Sequence, residues 1–267
     1  MAGNTITKNL VKLSKKAIYA KYGIDYKDGK ILCPDGLYHY ELLKDGNSKT
    51  GELVKTWSTL PGHKNGGTCP TTCPGCYAMR GRCACSSVVA CYRFNTWLVN
   101  NHIDFFKRAI MAQLETFPTC EIRIHAAGDF ATVNPEEYTS TWHYIADNAL
   151  SRDGEKHTYW TYTKVKEYET LFDDLNNANI VPSIIPGMGY NFGHCDHIIR
   201  LYEMLKQRGE KVYICRCGVD KNQHCQSCGH CSKKGVYVLF IEHSTDYVAE
   251  KDPLFPVLKA IIDAQQD

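Results

Sequence analysis

Three cysteines in one short loop are the residues of this sequence with the most specific chemistry. Cys69, Cys73 and Cys76 follow the spacing C-x3-C-x2-C in a stretch rich in glycine and proline. Thiolates at this spacing can ligate three irons of one 4Fe-4S cluster, because the prolines and Gly75 let the backbone turn sharply enough to point the sulfurs inward. A structural zinc knuckle and a cluster with a remote fourth cysteine are the alternatives, although zinc knuckles favour paired C-x2-C units.

A second group of five cysteines lies in the C-terminal third of the chain. Its C-x2-C-x2-C run is similar to ferredoxin spacing and predicts an auxiliary 4Fe-4S cluster. A zinc site formed from two close pairs of cysteines is the alternative, and His224 and His230 are candidate ligands in place of a thiolate in either site. The five cysteines are Cys215, Cys217, Cys225, Cys228 and Cys231.

The cysteine content also bears on the cellular compartment. We find no apolar segment of signal-peptide type and no apolar run of about 18 residues, so we expect a cytoplasmic protein without membrane contact, in a bacterium or a phage-infected host. In a reducing compartment, 14 cysteines indicate metal or cluster ligation rather than disulfides. Cys83, Cys85 and Cys91 form a third group, for which metal binding and a structural role both stay open. The net charge of +2 gives no global reason to expect nucleic-acid binding.

Strands and helices alternate along most of the chain. Strands are predicted at residues 52–58, 120–125, 157–162, 180–185, 211–215 and 235–241. Helices are predicted at residues 87–117, with a break near Asn100 and Asn101, and at 135–150, 165–177, 194–208 and 253–264. This order predicts an α/β protein with parallel strands and right-handed crossovers. Six units at this length favour an open (βα)6 partial TIM barrel, with a Cys-rich insertion at 215–234 between strands five and six.

The N-terminal region differs from this pattern. Residues 8–22 predict a basic amphipathic helix, and residues 23–51 are polar and rich in turns, with KDGK and KDGN as hairpin-type turns. We therefore expect residues 1–50 to form a small N-terminal extension and residues 51–267 to form the body. In a barrel of this kind the functional site lies at the C-terminal ends of the strands.

The cysteine loop carries a resemblance to a known superfamily. Its C-x3-C-x2-C spacing resembles the radical S-adenosylmethionine (SAM) superfamily. The C-P-x-x-C-x-x-C-Y-A part of this loop, the HAAGDF segment at 125–130 and the YTK segment at 162–164 narrow the resemblance further. Within it, the chain is most similar to an uncharacterised family of phage gene products with radical-SAM-like cysteines, over roughly residues 50–245. The superfamily has an open partial barrel with the cluster loop after the first strand, as predicted here.

The resemblance implies an enzyme. Cys69, Cys73 and Cys76 would hold a 4Fe-4S cluster whose open iron binds SAM, and an electron from a flavodoxin- or ferredoxin-type donor would cleave SAM reductively. The resulting 5'-deoxyadenosyl radical would abstract a hydrogen from a substrate that the sequence does not identify, with nucleic acid and protein as candidates.

The resemblance also implies residues that bind SAM. Gly128 and Asp129 lie where the superfamily has a Gly-Gly-Glu turn, so Gly128 would allow close backbone approach and Asp129 would orient the SAM ammonium. A Gly-Asp pair after a strand is also a common turn. Thr163, Lys164 and Ser183 lie at strand ends and are candidates for the SAM ribose or carboxylate.

One position departs from the superfamily. Gly75 stands before the third cysteine, where the superfamily has an aromatic residue near the adenine, and Tyr77 is the candidate that replaces it. The principal alternative function is a non-catalytic iron–sulfur or zinc protein that binds a partner or nucleic acid without SAM. The sequence contains no P-loop, no HExxH and no Ser/His/Asp nucleophile motif, which disfavours an ordinary hydrolase.

Overall fold

A computed structural model describes residues 13–46, 50–70, 76–220, 222–242 and 247–265. Its helices are α1 Lys15–Lys21, α2 Ser86–Asn101, α3 Ile103–Thr116, α4 Pro135–Asn148, α5 Cys195–Gln207, α6 Cys225–Cys228 and α7 Phe255–Ala264. Its strands are β1 Tyr26–Lys27, β2 Lys30–Leu32, β3 Tyr38–Tyr40, β4 Lys44–Asp45, β5 Val54–Thr56, β6 Glu121–Arg123, β7 Thr158–Thr163, β8 Ala178–Pro182, β9 Ile184–Ile185, β10 Gly189–Tyr190, β11 Phe192–Gly193, β12 Lys211–Ile214 and β13 Val236–Ile241.

The largest sheet has the strand order β4-β5-β6-β7-β8. The strands from β5 to β8 are parallel, as their alternation with helical segments predicts, and β4 is antiparallel to β5 at the edge. Thr56, Arg123 and Trp160 are in register across the three central strands. The carboxyl ends of four parallel strands therefore meet at one edge of this sheet.

A second parallel sheet has the order β11-β13-β12. Its central strand β13 also contacts β8 of the larger sheet. Asn191 links the two sheets, because its backbone N–H donates to Ser183 after β8 and its side chain donates to Val238 in β13. The strands of the described residues do not close into a barrel, and the open six-strand partial barrel stays a prediction.

Alternate residues of each strand point to opposite faces of the sheets, and different groups pack on the two faces. In β6, β7 and β8, Ile122, Tyr159 and Ile180 pack in one core with α3 and α4. A second helix-side core joins β12 and β13 to α5 and α7. The opposite strand face carries Val181, Val238 and the second group of cysteines. We call this opposite side the inner face.

Helix boundaries follow local sequence signals. Pro135 lies in the first turn of α4, where it loses no helical hydrogen bond, and two glutamates follow it near the positive end of the helix dipole. The long helical pattern at 87–117 breaks at His102, whose backbone leaves helical geometry between α2 and α3. This break lies beside the position predicted from the sequence.

The prediction of a helix at 165–177 is wrong. The chain forms a single 3-10 turn, Lys166–Tyr168, followed by further turns that close through bonds three residues apart, such as Leu175 N to Phe172 O. Leu171, Phe172 and Leu175 still pack in or against the helix-side core, so the apolar spacing correctly indicated side chains that face the core. The carbonyl oxygens of Phe172 and the following residue, which are not bound in a helix, accept hydrogen bonds from Lys234 Nζ, both at 2.7 Å.

The N-terminal region is joined to the body. Asp28 and Gly29 adopt positive φ in the KDGK turn between β1 and β2, as a tight hairpin requires. The predicted helix at 8–22 is described only from residue 13 onward and forms α1. Tyr19 of α1 shares the helix-side core with Trp57, and β4 extends the main sheet. The boundary at residue 50 stays a prediction.

Candidate functional site

The backbone after β5 continues to pair with the backbone after β6. Trp57 N donates to Arg123 O, and Thr59 N donates to Ala127 O, both at 3.0 Å. The segment that leads into the cysteine loop therefore runs beside the loop that follows β6. Both lie at the C-terminal edge of the parallel strands, which we call the edge site.

Thr68 joins the start of the cysteine loop to the turn at Asp129. The Thr68 hydroxyl accepts a hydrogen bond from Asp129 N at 3.0 Å and lies 2.7 Å from the Thr59 hydroxyl oxygen. The Thr68 carbonyl accepts from Ala131 N at 3.0 Å. Cys69 follows directly and is buried. The first cysteine of the loop is thus anchored at the edge site.

The Asp129 carboxylate connects the loop after β6 to the end of β7. Oδ1 accepts from Phe130 N at 2.8 Å and from the Thr163 hydroxyl at 3.0 Å, and Oδ2 accepts from Lys164 N at 3.3 Å. The carboxylate is 1% exposed, and this burial raises its pKa, while the hydrogen bonds and the Lys164 charge act in the opposite direction. The buried Asp129 therefore holds the loop after β6 against the end of β7.

Gly128 is closed to any side chain. Its φ is +89°, and a Cβ atom there would lie 2.0 Å from the Thr59 hydroxyl oxygen and 2.7 Å from the Thr68 hydroxyl oxygen. The turn needs glycine for its positive φ and for the close approach of these two threonines. In this arrangement the threonine hydroxyls occupy the space beside Gly128.

The structure brings most of the sequence-predicted SAM residues together. Gly128, Asp129, Thr163 and Lys164 adjoin one another, and buried Ser183 joins them through its backbone N–H, which donates to Thr163 O at 2.8 Å. The remaining predicted residue of the loop, Cys73, lies outside the described residues, as does the side chain of Tyr77. Cys76 is half-buried and precedes the 3-10 helix Tyr77–Met79.

Sequence reasoning gave His125 no role, although it lies in the HAAGDF segment. His125 has a φ of +56° and is buried, and its Nε2 lies 2.8 Å from the Tyr138 hydroxyl, which accepts from Trp57 Nε1 at 2.8 Å. Among the described residues, its Nδ1 has no hydrogen-bond partner. Burial lowers the pKa of His125 to about 3. The only sequence signal was a histidine at the end of the strand predicted at 120–125.

The third group of cysteines is spread along the start of α2. Cys83 is half-buried, Cys85 is exposed at the helix N-cap, and Cys91 lines a cavity of about 290 Å³ with Lys44 and Phe94. Cys83 and Cys85 do not line that cavity. For the third group, metal binding and a structural role stay the two alternatives.

The second group of cysteines lies on the inner face. All five thiols line one cavity with Glu121 of β6, Trp160 of β7, Tyr213 of β12 and Val238 of β13. Arg123 lies behind them, with its guanidinium 5.2 Å from the centroid of the Trp160 ring. The cysteines that the sequence spreads over residues 215–231 thus converge against both sheets. We call them the thiol cluster.

The thiols contact one another and two tyrosines. Cys217 hydrogen-bonds to Cys215 and to Cys225. Cys228 Sγ lies 3.8 Å from the Tyr213 hydroxyl, and Cys231 Sγ lies 3.0 Å from the Tyr162 hydroxyl. The ring of His230 stacks on Tyr213 at a centroid distance of 3.7 Å.

These contacts and burial favour the protonated form of two of the thiols. Its hydrogen bond to Cys215 raises the pKa of Cys217 to about 12, and burial raises the pKa of Cys231 to about 12. Within the described residues, no three His, Cys, Asp or Glu side chains already stand as ligands around a metal ion. None of the described cysteines forms a disulfide.

A comparison with known protein families assigns the chain. Gene product 88, a family of phage gene products, matches residues 41–187, which is more than half of the sequence. The chain belongs to the Gene product 88 family. No curated protein and no solved structure matches it. Among the helices of the described residues, none combines the length and apolarity needed to span a bilayer.

The Gene product 88 match covers the residues of the edge site but not the cysteines of the thiol cluster. It covers the whole edge site, from the cysteine loop to Ser183. It ends before the thiol cluster begins at Cys215, although Glu121 and Trp160, which line the same cavity, lie within it. The edge site is therefore the one that belongs to the family segment.

Proposed function

We propose that the protein is a radical SAM-type enzyme, in which Cys69, Cys73 and Cys76 hold a 4Fe-4S cluster and SAM binds at the edge site. One observation carries the proposal. Thr68, next to Cys69, is hydrogen-bonded to the backbone of Asp129, whose carboxylate binds Thr163 and Lys164. Residues almost 100 positions apart thus meet at one edge, where parallel α/β folds place their ligands.

The donor set suits such a cluster. Thiolates are the ligands that iron–sulfur clusters use. Of the two described cysteines of the loop, Cys69 lies at the edge site and Cys76 directly precedes the 3-10 helix Tyr77–Met79. When bound, the cluster would pass one electron from an external flavodoxin- or ferredoxin-type donor to SAM, giving methionine and a 5'-deoxyadenosyl radical that takes a hydrogen atom from the substrate.

The residues of the chain have distinct tasks in this proposal. Asp129 holds the loop after β6 against β7, because its oxygens already accept three hydrogen bonds. Lys164 supplies the positive charge for the SAM carboxylate, since it lies next to this turn, where its charge already acts on Asp129. Phe130 and Trp57, which are fully buried in the helix-side core, support the two loops of the edge site from that side.

The test is formation of 5'-deoxyadenosine. The protein is purified and reconstituted without oxygen, then given dithionite and SAM, and the nucleoside is measured by mass spectrometry. We expect product with the parent protein, none with Cys69→Ala, and unchanged product with Cys85→Ala, whose side chain is exposed at the α2 N-cap. Production that is equal in Cys69→Ala and the parent would refute the proposal.

One observation favours a second candidate. Asp129 and the space beside Gly128 are already satisfied by groups of the chain itself, as expected for a structural turn. A non-catalytic iron–sulfur or zinc protein that binds a partner or nucleic acid would need no SAM. Equilibrium dialysis of labelled SAM against the reconstituted protein separates the two, because only the enzyme retains SAM. Of the N-terminal lysines, Lys15 and Lys21 are paired with Glu41 and Glu115 and give no support to a nucleic-acid substrate.

A further inference from the structure

The thiol cluster lies on the inner face, apart from the edge site. Its cysteines come from the end of β12 and from the short helix α6 with the turn after it. The segment is fastened to the main sheet by Asn179 of β8, whose side chain donates to Cys231 O at 2.8 Å and to Lys233 O at 3.1 Å. A further contact joins α6 to the approach to β5, where Gln226 N donates to Thr50 O at 3.2 Å. The thiols are therefore held in place by the fold.

The space among the thiols is small. The cavity that they line has a volume of about 10 Å³, which corresponds to about one water-sized sphere. A cube of four irons and four sulfides needs more room than this space offers in the present arrangement of the thiols. A single metal ion bound by sulfur at about 2.3 Å fits in the space that a water would occupy.

We propose that the thiol cluster binds one zinc ion through Cys215, Cys217, Cys225 and Cys228. All four line one cavity, Cys217 hydrogen-bonds to Cys215 and Cys225, and Cys228 Sγ lies 3.8 Å from the Tyr213 hydroxyl, a longer contact than the 3.0 Å between Cys231 and Tyr162. Cys231 stays with the Tyr162 hydroxyl. Two close pairs, C-x-C and C-x2-C, supply the four sulfurs of a tetrahedral closed site.

Binding replaces the hydrogen bonds among the thiols. Each of the four thiols gives its proton to solvent and turns about its side-chain torsion toward the ion, so four protons leave for one zinc ion. The resulting site carries a net charge of minus two. Arg123, whose charge acts on both Cys225 and Cys231, offsets part of it. The inference is independent of SAM chemistry at the edge site.

The experiment measures zinc, iron and acid-labile sulfide in full-length protein purified without oxygen from cells supplied with both metals. We use Cys69→Ala as the background, because it removes iron that belongs to the cysteine loop. We expect about one zinc per chain in this background, loss of that zinc when Cys217→Ser is added, and its retention when Cys231→Ser is added instead.

Two results would overturn the proposal. One is iron with sulfide that persists in Cys69→Ala and disappears with Cys217→Ser, since it would show a cluster at this site. The other is zinc content that does not depend on Cys217. If Cys217→Ser does not fold, cobalt is exchanged for zinc in the Cys69→Ala protein. Thiolate-to-cobalt charge-transfer bands with the intense visible bands of tetrahedral cobalt are then expected, and octahedral bands would refute the site. Failure of the 5'-deoxyadenosine assay would leave these outcomes unchanged.

Discussion

Replacement of His125 by asparagine should remove a large pH dependence of stability. His125 is buried and its Nδ1 has no partner among the described residues, so a proton there would put an uncompensated charge in the core. Its pKa falls from an ordinary 6.5 to about 3 in the folded protein. Asparagine tolerates the positive φ of this position better than most residues.

The sign and size follow from proton linkage. Between the two pKa values only the unfolded chain binds the proton, so the free energy of unfolding falls as pH decreases from about 6.5 toward 3. Each pH unit in this range costs about 1.4 kcal/mol, so from pH 7 to pH 5 His125 should contribute a loss of about 2 kcal/mol. The pKa of His157 is also lowered by burial, but its contribution is the same in parent and variant and cancels.

The assay is urea unfolding at both pH values under reducing conditions. The parent should lose about 2 kcal/mol more than His125→Asn between pH 7 and pH 5. His143→Asn, at an exposed site beside Asp174, should behave like the parent. A parent and a His125→Asn variant that lose the same free energy would show that the imidazole is not held neutral by burial. His125→Gln replaces the asparagine variant if the latter does not fold.

Two further substitutions probe the turn that holds the cysteine loop. Gly128→Ala should lower the free energy of unfolding by about 3 kcal/mol, because the new Cβ collides with Thr59, whereas Gly154→Ala, with a similar φ but open space, should cost about 1 kcal/mol. Equal losses in chemical unfolding would contradict the close approach of Thr59. Thr163→Val should cost about 1–3 kcal/mol at pH 7, because Asp129 loses a hydrogen-bond donor, and Thr163→Ser should restore most of it. Burial already raises the pKa of Asp129, and removal of the Thr163 donor should raise it further. More of the carboxyl is then protonated at pH 4, so Thr163→Val should lower the free energy of unfolding by less at pH 4 than at pH 7. A loss of free energy that does not change with pH would show that the hydroxyl does not act through the carboxylate.

The sequence was most informative where local pattern and tertiary contacts agree. Apolar alternation predicted β7 and β13, and helical spacing predicted α4 and α5, because each of these elements buries one face in a helix-side core. The same spacing at 165–177 predicted a helix that does not form, and two carbonyl groups of this segment bind Lys234, a partner distant in sequence that local spacing cannot reveal.

The edge site could be predicted only in part. The resemblance to the superfamily's Gly-Gly-Glu turn indicated Gly128 and Asp129, and the strand ends indicated Thr163, because parallel strands share one edge. The hydroxyls of Thr59 and Thr68 were missed, since they reach Gly128 only through the fold of the intervening loop. Nor does any local signal show that Asp129 is buried, because a Gly-Asp turn looks the same in a sequence whether it faces solvent or the core.

The pleat of β7 explains how the two sites coexist. Neighbouring residues of a strand point to opposite faces, so Tyr162 meets Cys231 on the inner face while Thr163 binds Asp129 at the edge site. Arg123 and Trp160 also face inward, and both lie in the family segment that ends at residue 187. Without a cover, the half-buried Arg123 and the rings of Trp160 and Tyr162 would face water on the inner face. The thiol segment supplies that cover, and a metal ion that cross-links its loops would hold the cover in place without contributing any group to the edge site.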